Sequence, residues 1–309
     1  MHPDVRVTGD VRPLDRPLLI AAFDGHNGSS AVAAVAYLAQ HWSARPVAEI
    51  DPDRYFDFSV LRPTVRIEDR TRVLDWPEAR FAVARPEGAG RDIVLFAGAE
   101  PHLRWRSYGE AFASVAEALG VEQSMIVNAY PGGTPHSRPI PMHLVGAGEG
   151  EAALFGLPSR APRYQGPASY AMAIAIEERA RGRSGFSLTA IAPFYIDGDA
   201  NPYAVRALVT AIDRALGTRT SLEEVDGEVA RADIALVDAF AAQPQLVDIV
   251  RGLEEQYDDA SPPEPPAAAE TLDPAAVIDG VEAFLRDQRD QRDRGAPDGG
   301  PAGGGSRLV

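Results

Sequence analysis

The sequence predicts an α/β protein in which a mostly parallel sheet is covered by helices on both faces, with a helical extension at the C-terminal side. Two observations support this class. Apolar runs of strand length at residues 18–23, 93–96 and 125–127 alternate with amphipathic stripes of helical period. From residue 201 onward, only helical stripes follow. Alternation of strands and helices is typical of a parallel sheet, because each crossover between parallel strands needs a connecting helix.

The composition limits the classes of function. Of the 309 residues, 45% are hydrophobic, so the chain can bury one large core, and we expect one main domain. All 30 basic residues are arginine, which excludes a Walker A loop and Schiff-base catalysis, because both need lysine. The net charge of −15 argues against a nucleic-acid partner, since such binding needs a basic surface.

Cysteine usage and hydropathy indicate a soluble, cytoplasmic protein. The absence of cysteine excludes disulfides, thiolate nucleophiles and cysteine metal sites, and it fits a reducing compartment. No apolar run approaches the roughly 20 residues of a membrane span. Residues 1–6 also lack the apolar core of a signal peptide. We therefore expect no membrane partner.

The first part of the chain predicts a buried strand at 18–23, a polar turn at 24–30 and then a helix. The helix carries apolar residues at three- and four-residue steps, namely Val32, Val35, Ala39 and Trp42. Between residues 55 and 84, alternating segments divided by an Asp69-Arg70 turn predict a hairpin or small excursion. We expect the main sheet to resume at Asp92.

The middle of the chain continues the alternation. A helical stripe, closed by Gly120, consists of Trp105, Tyr108, Phe112, Val115 and Leu119. Strands are predicted at 125–130 and 141–146. A helix at 167–181 and a strand at 188–195 follow.

The last third is predicted to be helical. Asn201 and Pro202 are typical of a helix start, and this helix carries Val205, Leu208, Val209, Ile212 and Leu216 on one face. Ser221 and Glu224 predict a capping box for the next helix. A third stripe consists of Leu246, Ile249, Val250, Leu253 and Tyr257.

These patterns predict six segments. They are an N-terminal extension at 1–17, an α/β domain at 18–220, a helical extension at 221–257, a linker at 258–273, an amphipathic helix at 274–294 and a disordered tail at 295–309. The helix at 274–294 has too small an apolar face to be stable alone, so we expect it to dock on its own domain or on a neighbouring subunit. We expect the oligomer interface to need none of residues 258–309.

Polar residues that follow two predicted strands form the candidate site. Glu100, Arg104 and Arg106 follow one strand, and His136 and Arg138 lie in a proline-bracketed loop after the next. The carboxyl ends of parallel strands meet at one edge of the sheet, where α/β proteins bind ligands. We therefore expect these side chains to face a common cleft or subunit interface.

The turn after the first strand adds Asp24, His26 and Asn27 to the same edge. The backbone amides of residues 25–29 could cradle an anion at the start of the following helix. The alternative is that the polar side chains of this turn only cap the helix. The turn lacks the three-glycine spacing of a dinucleotide site, so the sequence predicts no cofactor.

Two interpretations of the candidate site remain open. In the first, Glu100 or His136 transfers protons while Arg104 and Arg138 hold an anion. In the second, Glu100 is ion-paired to Arg104 or Arg106, and the loop around His136 is ordinary surface. The histidines show no metal-ligand spacing, and no Gly-x-Ser-x-Gly nucleophile motif occurs.

Several short motifs occur in a fixed order along the chain. They are Phe23-Asp24-Gly25-His26-Asn27-Gly28, the segment 49–58, Arg62-Pro63-Thr64-Val65-Arg66, Gly98-Ala99-Glu100-Pro101 with Arg104-Trp105-Arg106, Pro135-His136-Ser137-Arg138-Pro139, Tyr164-Gln165-Gly166-Pro167 and Asn201-Pro202. Through these motifs, residues 17–257 resemble the bacterial branch of the proteasome assembly chaperone two (PAC2) family.

The resemblance implies a three-layer α/β sandwich similar to nucleoside phosphorylases and related hydrolases. It also implies a cytoplasmic, homo-oligomeric interaction or assembly protein, for example a trimer, with a proteasome-related partner. It supplies no catalytic residues, so an enzyme or small-anion binder that uses the arginine-lined edge is the alternative. Archaeal relatives can end in a hydrophobic-Tyr-any-residue tail, whereas this sequence has Leu308 at the penultimate position.

Overall fold

The structure is a computed structural model that describes residues 1–25, 29–196 and 198–259. The predictions for His26 and Asn27, for the helix at 274–294 and for the tail at 295–309 lie outside these residues. So does the predicted linker, apart from its first two residues, which belong to the last described helix. Within the described residues, no helix combines the length and the apolar content that crossing a membrane requires.

Eleven strands are present in the described part of the chain. They are β1 (Val5–Val7), β2 (Leu18–Asp24), β3 (Arg45–Ile50), β4 (Thr64–Glu68), β5 (Thr71–Asp75), β6 (Ala79–Ala84), β7 (Ile93–Ala99), β8 (Gln123–Gly132), β9 (Met142–Val145), β10 (Ser159–Arg160) and β11 (Ser184–Pro193). Nine of them form one sheet in the order β1-β3-β6-β7-β2-β8-β11-β9-β10, and β4 pairs only with β5.

The centre of the sheet is parallel and its flanks are mixed. Strands β7, β2, β8 and β11 run parallel to one another, whereas β6 and β9 are antiparallel to their central neighbours. Strand β2 shows why the centre is buried on both faces. Leu18 and Ile20 contribute to one hydrophobic core, and Leu19 and Ala21 contribute to the other. A continuous apolar run is the pattern expected of such a strand.

Helices cover both faces, so the predicted α/β class is confirmed. They are α1 (Ser30–His41), α2 (Trp105–Ala118), α3 (Glu149–Phe155), α4 (Tyr170–Ala180), α5 (Pro202–Leu216), α6 (Glu223–Ala242) and α7 (Pro244–Asp259). Helices α1, α3 and α5 contribute to the core on one face of the sheet. Helices α2 and α4 contribute to the core on the other face.

Several helix signals were correct. The predicted stripe of α2 is buried at Tyr108, Phe112 and Val115, and the chain leaves the helix through Gly120 at a φ of 73°. Asn201 caps α5 by accepting hydrogen bonds from the backbone amides of Tyr203 and Ala204. The buried face of α1 is rotated from the predicted one, because Ala31, Ala34 and Leu38 join Val35 there while Val32, Ala39 and Trp42 are only partly buried.

Three local predictions were wrong. The main sheet resumes at Ala79, because β6 pairs with both β3 and β7. The alternating sequence pattern of β6 is compatible both with a strand at the flank of the main sheet and with a strand of a separate hairpin, so the pattern could not distinguish them. Helix α4 begins at Tyr170, because the Ser169 side chain accepts a hydrogen bond from the Met172 amide and caps the helix there. The capping box of Ser221 and Glu224 does not form, since Leu222 occupies the cap position of α6.

The hairpin of β4 and β5 stands apart from the main sheet. Asp69 and Arg70 form its turn, as the sequence predicted, and their φ values are positive, at 47° and 66°. In its register, Val65 lies opposite Leu74 and Ile67 lies opposite Arg72, so these four residues share one face. All four side chains are exposed.

Candidate functional site

The predicted edge of the sheet holds the candidate residues in two separate groups. Strands β7 and β8 both run parallel to β2, so Glu100 and His136 follow strand ends at the same edge. Glu100 lies near Asp24 and the start of α4, whereas His136 lies against α5, α6 and α7. No hydrogen bond or ion pair in the described residues joins the two groups.

The first group, which we call the Glu100 cleft, is a small concavity between the strand ends and α4. Its lining residues are Phe23, Gly25, Ala31, Glu100, Asn128, Ala129, Tyr130, Ser169 and Ala171. The Glu100 backbone amide donates a hydrogen bond to the Asp24 carbonyl oxygen at 2.7 Å. The cleft has a volume of about 20 Å³, which is room for about one water molecule.

Glu100 holds the beginning of α4. Its Oε1 atom accepts a hydrogen bond from the backbone amide of Tyr170, the first residue of that helix, at 2.9 Å. A carboxylate at this position satisfies a free amide and interacts favourably with the helix dipole. Neither Arg104 nor Arg106 is ion-paired to Glu100 in the described residues. The structure therefore shows a helix-capping contact in place of the arginine pair that one of the two interpretations expected.

Gly25 and Tyr130 define the surroundings of the Glu100 carboxylate. A Cβ atom on Gly25 would overlap Glu100 Oε2, so this close approach needs glycine. Burial raises the pKa of Tyr130, and the nearby charge of Glu100 raises it further. The tyrosine hydroxyl thus remains protonated beside the carboxylate and can donate a hydrogen bond to a group in the cleft.

Asp24 faces a second carboxylate, Asp199. Burial raises the pKa of Asp24, and the charge of Asp199 raises it further. The start of α1 is attached to the loop around Asp199, because the Ser29 amide donates a hydrogen bond to the Asp199 carbonyl at 3.2 Å. In the part of the chain that the structure describes, no cluster of His, Asp and Glu side chains could hold a metal ion.

Arg104 and Arg106 are exposed at the start of α2. Arg104 precedes the helix in the left-handed region, with a φ of 54°, which is strained for a residue other than glycine. The next residue, Trp105, donates its indole N–H to the Pro101 carbonyl at 2.6 Å and fixes the entry into the helix. Both guanidinium groups therefore lie at the surface of the predicted edge.

The second group, which we call the His136 cluster, is aromatic and half-buried. It consists of His136, Tyr195, Tyr203 and Phe240. The ring centroids of Tyr195, Tyr203 and Phe240 lie 5.8, 6.0 and 6.0 Å from that of the His136 imidazole. The His136 backbone amide donates to the Tyr195 hydroxyl oxygen at 2.7 Å, and the Tyr195 O–H can in turn donate to His136 Nδ1 at 2.7 Å. A Tyr195 hydroxyl that donates to Nδ1 favours the neutral imidazole over the protonated one.

Arg138 is bound to the last helix rather than open to a ligand. Its Nε and Nη2 atoms donate to the two carboxylate oxygens of Asp258 at 2.8 and 2.7 Å. Ser137 donates to Glu254, and the Tyr257 hydroxyl donates to the Pro139 carbonyl at 3.0 Å. Helix α7 thus covers the loop around Arg138, which the sequence analysis considered as part of an anion-binding site.

Sequence reasoning missed the partners of this loop. Glu254 and Asp258 are four residues apart and therefore lie on one face of α7, which is a recognisable signal. Nothing in their spacing shows that the face meets Arg138, which is 120 residues earlier than Asp258. Tyr195 and Tyr203 were likewise not singled out, although they contact His136 directly.

The His136 cluster should make the stability depend on pH. Burial lowers the pKa of His136 below its ordinary value, and the charges of Asp233 and Glu254 only partly oppose this. Below about pH 6.5 the unfolded chain therefore binds more protons than the folded one. We expect the free energy of unfolding to fall on acidification from about pH 7.5 to 5.5, and His136→Gln to reduce that loss.

Urea unfolding at both pH values measures this dependence. His143 is also half-buried and has a lowered pKa because of its burial and the nearby Arg160 charge, so part of the loss should remain in the variant. His102→Gln changes an exposed histidine outside the cluster and serves as the matched control. An unchanged loss in His136→Gln would contradict a lowered pKa of His136 in the folded protein.

Comparisons with known proteins identify a family. The model of the PAC2 family matches residues 22–236. A crystal structure of a PAC2 family protein from Streptomyces avermitilis is 34% identical, with a TM-score of 0.65, and the match covers 76% of this chain and 99% of that one. A proteasome-assembly chaperone homologue from Mycobacterium tuberculosis is 32% identical, with a TM-score of 0.64, and covers 75% and 99%.

More distant structures share the fold alone. An archaeal proteasome activator from Pyrococcus furiosus is 16% identical, with a TM-score of 0.58, and the match covers 76% of this chain and 98% of that one. Among curated proteins, none matches this sequence.

Proposed function

Because the chain belongs to the PAC2 family, we propose that it is a cytoplasmic, homo-oligomeric interaction protein that assists the assembly of a proteasome-related complex. The family is the premise. The oligomer and the partner are the proposal. The exposed apolar face of the β4–β5 hairpin is the observation that supports self-association.

The hairpin presents an apolar face that is largely uncovered in the described residues, although the Phe58 ring lies 5.0 Å from that of the neighbouring Trp76. Its side chains Val65, Ile67 and Leu74 are 57%, 71% and 48% exposed, and the neighbouring Trp76 is 50% exposed. Monomeric proteins seldom expose several large apolar side chains together, and such groups mark interaction sites. A two-stranded hairpin is also marginal in water unless a further strand or layer covers it.

A second copy of the chain is the occupant that the charges favour. The hairpin carries Arg66, Arg70 and Arg72 against Glu68, Asp69 and Asp75, so it is neutral. The whole chain carries −15 charges, so two copies repel one another over most of their surfaces. Contact through a neutral apolar hairpin avoids that repulsion.

The partner rests on the relatives. The 32%-identical protein from Mycobacterium tuberculosis is described as a proteasome-assembly chaperone homologue, and the match covers 99% of its length. The alternative enzyme or anion-binding role at the carboxyl edge has less support. There the donors of Arg138 are held by Asp258, and the Glu100 cleft has room for about one water.

The oligomer is tested by placing a charge on the hairpin. We expect light scattering to show more than one 33.0 kDa chain per particle for the wild type and a single chain for Ile67→Glu. Arg72 lies directly opposite position 67, but burying that ion pair costs more desolvation energy than its attraction returns, so we expect the interface not to form. Val73→Glu adds the same charge to the opposite face of the same hairpin, also directly opposite an arginine, Arg66, and should keep the oligomer.

A monomeric wild type, or an Ile67→Glu variant that keeps the wild-type mass, would contradict self-association through the hairpin. The partner is tested separately by affinity capture of the tagged full chain from its source cells. Recovery of proteasome subunits supports the assembly role. Capture that repeatedly lacks them contradicts it, whatever the oligomeric state.

A further inference from the structure

A larger concavity lies at the edge of the sheet opposite the candidate site. It has a volume of about 330 Å³ and is lined by Arg12, Leu14, Trp42, Ser43, Arg45, Val83, Ala84, Arg85 and Asp92. These residues come from the N-terminal segment, the end of α1, the start of β3, the end of β6 and the residue before β7. Pockets for small molecules begin at about 300 Å³. We call this concavity the amino-edge cavity.

The charges that line the amino-edge cavity are unbalanced in favour of arginine. Asp92 is the only acid among the lining residues, and both of its oxygens are occupied. Oδ1 accepts from Arg85 Nη1 at 3.1 Å, and Oδ2 accepts from the Asp15 backbone amide at 2.8 Å. Arg85 is further bound to the Asp15 carboxylate at 2.9 Å. The other lining arginines, Arg12 and Arg45, are not neutralised from inside the cavity.

The Arg45 side chain makes no hydrogen bond in the part of the chain that the structure describes. No ion pair of Arg45 occurs within residues 1–25, 29–196 and 198–259. The last carbonyls of α1 do not require it, because the amides of Trp42, Ser43 and Ala44 already donate to the carbonyls of Leu38, Gln40 and Ala39. Arg12 binds the exposed Asp10 through Nε at 3.0 Å, which leaves its two terminal nitrogens for another acceptor.

The walls of the cavity are fixed by contacts that do not involve a ligand. The Leu14 amide donates to the Leu119 carbonyl at 3.0 Å, and the Asp15–Asp92–Arg85 contacts hold the segment that precedes β2. The Trp42 indole N–H donates to Thr220 Oγ1 at 3.0 Å, so the ring is held in one orientation. Leu14, Val83 and Ala84 supply apolar surface. A preformed cavity with a few polar groups is the usual form of a small-molecule site.

We propose that the amino-edge cavity binds a small organic anion. Its carboxylate or phosphate group is held by Arg12 and Arg45, and its apolar or aromatic body lies against Leu14, Trp42 and Val83. Guanidinium groups suit both acids, because their parallel N–H donors match the spacing of carboxylate and phosphate oxygens. The site is separate from the β4–β5 hairpin and from the carboxyl edge, so it does not depend on the proposed assembly role.

Isothermal titration of the full chain with simple probes tests the site. The probes are phenyl phosphate, benzoate, the uncharged benzamide and inorganic phosphate. We expect saturable binding of phenyl phosphate or benzoate at millimolar concentration, and the stronger of the two identifies the acidic group. Arg45→Gln should weaken that binding by about ten-fold or more, since it removes a charge-assisted hydrogen bond.

Arg62→Gln removes an exposed arginine elsewhere and is the matched control. Arg45 is itself exposed, so the variant should fold normally, and its thermal unfolding confirms this. Three results overturn the proposal. They are no saturable binding of either aromatic anion, equal binding of benzamide, and binding that Arg45→Gln leaves unchanged. If inorganic phosphate is the only probe that binds, the cavity is not a site for an organic anion.

Discussion

Replacing Arg183 with methionine should lower the free energy of unfolding by about 3–5 kcal/mol, the cost of leaving one member of a buried ion pair uncompensated. Arg183 is bound to Glu178, which is in α4, through Nε at 2.5 Å. The side chains are 9% and 1% exposed. Arg183 Nη2 also donates to the Ala113 carbonyl of α2 at 3.3 Å, so the pair joins the two helices of one layer. Urea unfolding followed by circular dichroism measures the loss.

Two controls separate the buried charge from a general effect of losing arginine. Arg231→Met removes an exposed arginine paired to Glu228, and such surface pairs contribute about 0–1 kcal/mol. The double variant Glu178→Met with Arg183→Met removes both charges and should recover much of the lost stability. If the single and double variants are equally unstable, the loss comes from packing and not from the isolated carboxylate.

Replacing Phe112 with alanine should lower the free energy of unfolding by about 3–5 kcal/mol, because it leaves a cavity in a close-packed aromatic cluster. Phe112 is fully buried in α2. Its ring lies 4.9, 5.1 and 5.8 Å from the rings of Phe81, Phe96 and Phe23. These contacts join α2 to three strands of the main sheet, so the cluster couples the helix layer to the sheet.

The same substitution should loosen the Glu100 cleft. Phe23 is two residues before Gly25, and its ring also contacts Tyr170, whose amide Glu100 binds. Hydrogen exchange at the Tyr170 amide should therefore accelerate in Phe112→Ala together with the loss of stability. Ile176→Ala, in the same layer but 62% exposed, should change the free energy of unfolding by less than about 0.5 kcal/mol. If both variants lost the same free energy of unfolding, the aromatic cluster around Phe112 would not be the source of the stability.

Much of the fold could be predicted because the spacing of apolar residues along a segment indicates which of its faces is buried. The run at 18–23 is apolar at every position, and β2 is buried on both faces. The stripe at Tyr108, Phe112 and Val115 has the helical period, and it is the inner face of α2. The predicted strand at 188–195 is displaced from β11, which ends at Pro193, because element ends depend on hydrogen-bond partners that a pattern does not contain.

The candidate site could be predicted as an edge but not as a set of contacts. Topology alone brought Glu100 and His136 to the carboxyl ends of β7 and β8, the two parallel strands on either side of β2. The role expected for Arg138 differs from its observed contact, because the acid that binds it lies on α7, far along the chain. One of the two interpretations paired Glu100 with an arginine of its own segment, whereas its carboxylate accepts a hydrogen bond from an amide of α4.

The sequence by itself determined the α/β class, the order of most elements and the exclusion of lysine- and cysteine-dependent chemistry, because periodicity and composition are local properties of the chain. Only the tertiary structure decided which charges meet. It paired Arg138 with Asp258 and Arg183 with Glu178, and it left Arg45 at the amino-edge cavity. An ion pair forms wherever folding brings opposite charges within a few ångströms, and residues distant in sequence carry no signal of that approach.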